Sequence, residues 1–393
     1  MKKRTICFIT GARSEYGLLR PLMSAVKEDA DLCLQLIVTG SHLSEAYGLS
    51  AREISRDGFK MNEKVPILGP DDSLQAMACA MGKCLEGVAR ALGRLKPDMI
   101  VCMGDRYEML SAASAAMACR IPVVHLSGGE ITHGAMDDQI RHAITKLSHL
   151  HLVSTHEHRW RVIQMGESPE RVFNVGEVGL ADIRKLEYLS RLEIEKELAF
   201  RFLRKNYLVT YHPVTLEEDY GYRGLGALLT ALDHQKDTLT IFTKCNADPA
   251  GKRFNRAIEK YVAARPGRTI LFDSLGRKRY LSVLRQVDAV VGNSSSGIVE
   301  APSFNVPSVN IGARQEGRAR AASVIDCAAD SGSIAKALVK ACSAAFVRKT
   351  SRVKNPYEGK GIGHVVAILK KVSLRGLLQK EFMDIKEACA HRR

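Results

Sequence analysis

MIVCMGDRYEMLSAASAAMACRIPVVHLSGGEITHGAMDDQIRHAITKLSHLHLVS, Met99 to Ser154, decides the fold. Met99–Met103, Pro122–Leu126 and His151–Ser154 are apolar runs too short for helices, and each closes on a polar or glycine-bearing turn. Between them, Tyr107–Ala118 is rich in Ala and Met, and Asp138–His149 places Ile140, Ile144 and Leu147 on one helical stripe. On the opposite face lie Asp138, His142, Thr145 and His149. Strands apolar on both faces, each followed by a helix, predict a parallel α/β sheet.

The pattern extends in both directions. Strands are expected at Thr5–Thr10 and Cys33–Thr39, with helices at Tyr16–Glu28 and Asp72–Leu95, and a further strand at Val172–Val175. The rhythm then breaks at Gly176 and Gly179, and Leu180–Arg204 is charged and strand-free. It restarts with strands at Tyr207–Thr210, Thr238–Phe242, Thr269–Phe272, Ala289–Val291 and Ser308–Asn310. A chain of 393 residues exceeds the size at which one core stops growing. Two doubly wound domains are therefore expected, over 1–180 and 205–345, followed by a basic tail, 346–393, helical from Gly363 to Leu378.

The formal charge is +15, but the stretch 344–393 alone holds twelve Lys and Arg against four Asp and Glu. No aromatic-interleaved basic stripe or zinc-finger spacing accompanies it, so nucleic acid is not the expected partner. A polyanionic small molecule suits such mild basicity. No run reaches the ~18 apolar residues of a membrane span, and MKKRTICFIT turns straight into a strand without a signal-peptide core. Ten scattered Cys without a C-x-x-C pair are those of reduced thiols in the cytoplasm.

Ligands of such sheets bind beyond the carboxyl ends of the strands, and five polar clusters fall there. FITGARSEYGLLRP brings Arg13 and a helix start after the first strand, where backbone N–H groups would suit a phosphate; a Gly turn with a surface Arg is the plainer reading. The absence of G-x-G-x-x-G argues against a dinucleotide cofactor. VCMGDRYE sets Asp105 at a strand end, as a cleft group, a helix cap, or both. His125–His151 packs Glu130, Asp137, Asp138, Arg141, Lys146 and five His into one segment. Glu130 and Asp137 read as general acid/base groups. A metal site is the rival, but no H-E-x-x-H or H-x-H supports it. His212 ends a strand before Pro213, and GNSSSGIVEAPS offers Ser294, Ser295, Ser296 and Gly297 to a diphosphate, with Glu300 one turn on and Arg314 after the next strand.

Taken together, these segments resemble the hydrolysing UDP-N-acetylglucosamine 2-epimerases of bacterial sialic and legionaminic acid biosynthesis, the NeuC type. The resemblance is carried by TGARSEYG, IVTGSHLSEAYG, GDRYEM, GGEITHGAMDDQIRHAITKLSHLHL, RVIQMGESPERVFNVG, YHPVTLE, CNADPAG, GNSSSGIVEAPS and NIGARQEGRARAASVID. It implies a GT-B-like fold, two Rossmann-type domains facing across a cleft, with the C-terminal helix crossing back to the first domain. It implies loss of the C2 proton with expulsion of UDP through 2-acetamidoglucal, then water addition to give free N-acetylmannosamine, with no cofactor and no metal. Asp105, Glu130, Asp137 and His212 become the catalytic candidates; Arg13, His42, Arg106, Arg141, Asn246, Ser294–Ser296, Gly297, Glu300 and Arg314 become binding residues, with Glu300 on the ribose. Several relatives carry an acid before the Gly-Gly pair, where this chain has Ser127. The base is then Glu130, Asp105 or Asp137.

The resemblance also implies a homo-oligomer, dimer or tetramer. UDP-N-acetylglucosamine is the leading substrate, a UDP- or GDP-linked 2,4-diacetamido-2,4,6-trideoxy sugar the alternative. A GT-B glycosyltransferase and a non-catalytic sugar-nucleotide sensor are the readings from other classes.

Overall fold

Met99–Met103, Val123–Leu126 and Leu150–Val153 are buried at every position, so neither face of these strands is left to water. In the computed structural model, which describes residues 3–245 and 248–385, they belong to a seven-stranded sheet. Its strands are β1 (Arg4–Thr10), β2 (Leu32–Thr39), β3 (Glu63–Val65), β4 (Met99–Met103), β5 (Val123–Leu126), β6 (Leu150–Val153) and β7 (Val172–Asn174). The order is β3-β2-β1-β4-β5-β6-β7, all pairs parallel. The second sheet has β8 (Lys205–Thr210), β9 (Thr238–Thr243), β10 (Thr269–Phe272), β11 (Ala289–Gly292), β12 (Ser308–Ile311) and β13 (Val324–Cys327). Its order is β10-β9-β8-β11-β12-β13, again wholly parallel. Two parallel sheets with helices on their faces give the expected pair of Rossmann-type layers in a GT-B-like arrangement.

Strand order reverses between β1 and β4 in the first sheet and between β8 and β11 in the second. These switch points are where the loops leaving adjacent strands diverge to opposite faces and open a crevice. The loops after β1, β4, β8 and β11 carry Arg13, Asp105, His212 and Ser294–Ser296. Topology alone thus delivers four clusters to two facing crevices.

Two strands escaped the sequence. β3 is three residues long with Glu63 and Lys64 in it, and β13 follows an Arg-rich loop. The tail helix is shorter than expected, Ile362–Lys371, because Ser373–Leu377 turns back through Gly376 at φ 74°. That helix packs on the first sheet's helix Arg13–Glu28, with Lys370 paired to Asp29 and Asp31. Just before it, the chain pairs with the end of β7: Glu177 N–H donates to the Tyr357 carbonyl (2.8 Å) and Lys360 N–H to that of Val175 (3.2 Å). No helix among the described residues is long and apolar enough to cross a membrane.

Candidate active site

The two crevices meet in one cleft with two lobes that share Ser14, Leu18, His212, Ser294–Ser296 and Glu300. The first lobe is walled by Arg13, Glu53, Thr243, Leu275, Arg277 and Tyr280, a mixed apolar and polar slot. The second gathers Asp105, Arg106, Glu130, Asp137, Arg141, Glu177, Asp248, Arg314 and Arg318. One lobe has the character of a nucleoside site and the other of a reaction chamber.

Arg141 is the keystone of the chamber. It is completely buried on the helix Asp137–Leu147 and forms an ion pair with Asp105. It also donates to the Glu130 carbonyl (3.0 Å) and the Thr132 hydroxyl (2.9 Å). Arg318 enters from the second sheet's side, 2.7 Å from the Glu130 carboxylate and 3.8 Å from that of Asp105. Burial opposes ionisation of Asp105, but the Arg141 and Arg318 charges win and hold its carboxyl below the ordinary Asp range. Asp105 is thus a clamped anion, and the Glu130 carboxylate is fixed in place by Arg318.

Asp137 differs. It sits in the first turn of its helix, half-buried, and no hydrogen bond or ion pair reaches its carboxylate among the described residues. Withdrawal from water, then the charge of Asp105, pushes its carboxyl up, against the pull of Arg314. A raised, unpaired carboxyl facing a cleft is the physical signature of a proton carrier. Among Glu130, Asp105 and Asp137, the geometry therefore favours Asp137 as the base.

His212 lies on both lobes, its backbone locked by Asn293, which accepts from the His212 N–H (2.6 Å) and donates to its carbonyl (2.8 Å). Burial and the Arg314 charge push the imidazole down to about 3, so it is neutral at pH 7 and serves as a hydrogen-bonding group rather than a ready imidazolium acid. Arg314 donates to the Asn293 carbonyl (3.2 Å) while its buried Nε has no partner. Arg106 is bidentate on Glu108 (both 3.1 Å) and reaches Asp248 across the cleft at 3.2 Å. Ser294–Ser296 and Glu300 border both lobes, and the Tyr280 hydroxyl donates to that of Ser296 at 2.6 Å. Burial raises the Glu300 carboxyl, which suits a partner for ribose hydroxyls.

Three expectations need correction. His42 lies in neither lobe: it is fully buried, its nitrogens taken by Thr10 (3.0 Å) and Ser50 (2.8 Å), and it holds the loop after β2. The N–H groups of Gly11 and Ala12 are not open to a phosphate, because Glu15 accepts from both, at 2.8 and 3.0 Å. Arg13 instead reaches across to the Asp273 carbonyl (2.5 Å) in the first lobe. Gly297 lies behind the serine loop, its carbonyl taken by Ser308 (2.6 Å), and contributes no lining. Asn246 lies outside the described residues. Sequence reasoning missed Arg318 and Glu177; the run ARQEGRARAASVID contained the first, but nothing in it ranked one Arg over another.

The crowd of histidines has an ordinary explanation. His125 bonds the Gly104 carbonyl (2.8 Å) and Thr145 (3.2 Å), His149 accepts from the Val123 N–H (3.2 Å), and His151 meets Glu167 (2.9 Å). Thr145, placed by periodicity on the outer face, is buried by that contact.

The family model described as UDP-N-acetylglucosamine 2-epimerase matches residues 24–370. The chain belongs to this family. Among its relatives, the GDP/UDP-N,N'-diacetylbacillosamine 2-epimerase (hydrolyzing) of Campylobacter jejuni is 41% identical over 98% of this chain and 100% of its own length. The UDP-N,N'-diacetylbacillosamine 2-epimerase (hydrolyzing) of Legionella pneumophila is 38% identical over 82% and 85%. The polysialic acid biosynthesis protein P7 of Escherichia coli is 34% identical over 98% of both chains. In fold, this family member is similar to the UDP-GlcNAc 2-epimerase of Neisseria meningitidis solved with UDP-GlcNAc, with a TM-score of 0.80, 17% identity, and 94% and 100% of the two chains covered.

Proposed function

We propose that this family member is a hydrolysing 2-epimerase whose substrate is a nucleotide-linked 2,4-diacetamido-2,4,6-trideoxyhexose, released as the free 2-epimer. The observation that carries the substrate is the 41% identity over both full lengths to the Campylobacter jejuni enzyme, joined by the Legionella pneumophila relative of matching description. This reverses the order of substrates that the sequence suggested.

The residues fit the chemistry. The Asp137 carboxylate takes the C2 proton; the electron pair of that C–H bond forms C1=C2, and the C1–O bond breaks towards the diphosphate. Arg314, the Ser294–Ser296 hydroxyls and neutral His212 receive the departing charge from the border between the lobes. Water then adds its oxygen to C1 while a proton returns to C2 on the opposite face. Arg13 and Glu300 sit where the nucleoside would lie; Arg141 and Arg318 keep Asp105 ionised beside the sugar and hold Glu130 in place.

The test is turnover of UDP- and GDP-diacetylbacillosamine against UDP-GlcNAc in deuterated water, following nucleotide release and product by NMR. A kcat/KM at least tenfold higher for a diacetamido substrate, with deuterium at C2, is expected. A preference for UDP-GlcNAc would restore the sialic-acid substrate, which the 33% identity to a Neisseria meningitidis UDP-N-acetylglucosamine 2-epimerase keeps in view. Product without deuterium at C2 would point to glycosyl transfer instead.

A further inference from the structure

Glu177 is a buried carboxyl that the scheme above leaves unused. It follows β7 at the turn where the tail crosses back, 5% exposed, and it lines the reaction chamber. Its Oε2 accepts from Ser127 (2.9 Å) and from Ser154 (3.2 Å). Oε1 receives only a long bond from the Gly179 N–H (3.4 Å), and no Lys, Arg or His pairs with it among the described residues. A buried carboxyl held by two hydroxyls and one long backbone N–H bond, with no cation beside it among the described residues, is not built to stay charged.

Ser127 is shaped for this contact. It is a non-glycine residue at φ 61°, a left-handed conformation that costs energy unless its surroundings demand it. Its N–H is fixed to the Leu152 carbonyl (3.0 Å), and it lines the chamber beside Glu177, to which its hydroxyl is bonded. A hydroxyl both donates and accepts, so it can pass a proton in one concerted step.

The charged groups facing Glu177 are Glu130 from the loop after β5 and the Tyr357 phenol from the crossing tail. Burial first, then the Glu130 charge, raises the Glu177 carboxyl to about 7, so both of its forms exist at neutral pH. Asp137 takes its charge environment chiefly from Asp105, Arg314, Asp248 and Arg141. The ion pairs Arg141–Asp105 and Arg318–Glu130 belong to the same chamber, which therefore holds two raised carboxyls, Asp137 and Glu177, beside a paired set.

We infer that Glu177, acting through the Ser127 hydroxyl, is the second proton carrier of the site, opposite in role to Asp137. This deepens the epimerase reading and rests on it. In the second half-reaction the glucal C1=C2 pair forms the new C2–H bond with the Ser127 proton. Ser127 Oγ takes the Glu177 proton in the same step, and the water oxygen bonds to C1. The water's spare proton leaves to solvent, from which Glu177 is recharged. Glu177 is thus a positioning and relay residue, and Ser127 the group that faces the sugar.

The test is the pH dependence of kcat for the full chain and for Glu177→Gln and Ser127→Ala, each checked for folding by thermal melting. The wild type should lose kcat as pH rises through about 7, because the donor must be protonated. Glu177→Gln keeps an acceptor for Ser127 but should lose that limb and about 10²-fold in kcat, with KM within threefold. Ser127→Ala leaves Glu177 in place and should show the same kcat loss, so the proposal stays testable if the glutamine variant does not fold. Variants that turn over within twofold of wild type and keep the limb overturn the relay while leaving the epimerase reading intact. A wild type that releases no nucleotide overturns both.

Discussion

The difference between clamped and free carboxylates organises the site residue by residue. Asp105 is paired with two arginines, whereas Asp137 forms no ion pair among the described residues, although both lie in one chamber. Asp137→Asn removes a proton acceptor without removing bulk or a paired charge. It should lower kcat by about 10²- to 10⁴-fold with KM within a few-fold, read from steady-state nucleotide release. Because the Asp137 carboxyl is raised and must be ionised to accept the C2 proton, kcat/KM should fall as pH drops, and this acid limb should lie above the ordinary Asp range. Arg314→Ala acts on the departing diphosphate, present in substrate and transition state alike, so KM for the nucleotide sugar should rise about tenfold or more. An Asp137→Asn variant that loses nucleotide binding as severely as Arg314→Ala would contradict this division of labour.

At the scale of elements, the loop after β5 shows how backbone shape places chemistry. Gly129 has φ 77°, and a Cβ there would lie 2.5 Å from the His158 carbonyl oxygen, a backbone atom that cannot step aside. Gly129→Ala should therefore displace Glu130, 2.7 Å from Arg318, and cost on the order of 1–3 kcal/mol in folding stability, measured by denaturant titration, together with most of kcat. Gly69→Ala, with open space at its Cβ, is the control and should be nearly silent. Elements of this kind were legible in the sequence because their signals are local: β4 and β10 have the bounds that their apolar runs set, and Gly128-Gly129 announced the loop. β3 was not, since three residues with two charges carry no periodic signal and gain their strand by pairing with β2. Glu177 and Arg318 escaped for the same physical reason. One meets Ser127 and the other Glu130, contacts closed by the fold across long stretches of chain, whereas His42 looked functional in its motif and proved to be packing.

For the whole molecule, the crossing tail ties the far end of the chain to the catalytic helix. Lys380 donates to the carbonyls of Lys146 and Ser148, both at 2.7 Å, where the helix Asp137–Leu147 ends, so a cation caps the negative end of the helix whose first turn presents Asp137. Glu167, 2% exposed, gathers Lys380 (2.8 Å), Lys146 (2.6 Å) and His151 (2.9 Å). Burial opposes its charge, but the hydrogen bonds from His151, Lys146 and Lys380 outweigh it and bring the carboxyl down to about 2. Its folded-state pKa lies below the unfolded value of about 4.3, so this contribution is fully present above that value and is lost as pH falls towards about 2. Glu167→Gln leaves Lys380 and the partly exposed Lys146 without their anion and should cost on the order of 1–2 kcal/mol at pH 7, seen as a lower melting temperature. Between pH 5 and 3 the wild type should lose stability more steeply than the variant, so the gap between them narrows. A gap that stays constant across that range would show that Glu167 acts through packing rather than charge, and no gap at pH 7 would show that the tail is held by its helix alone.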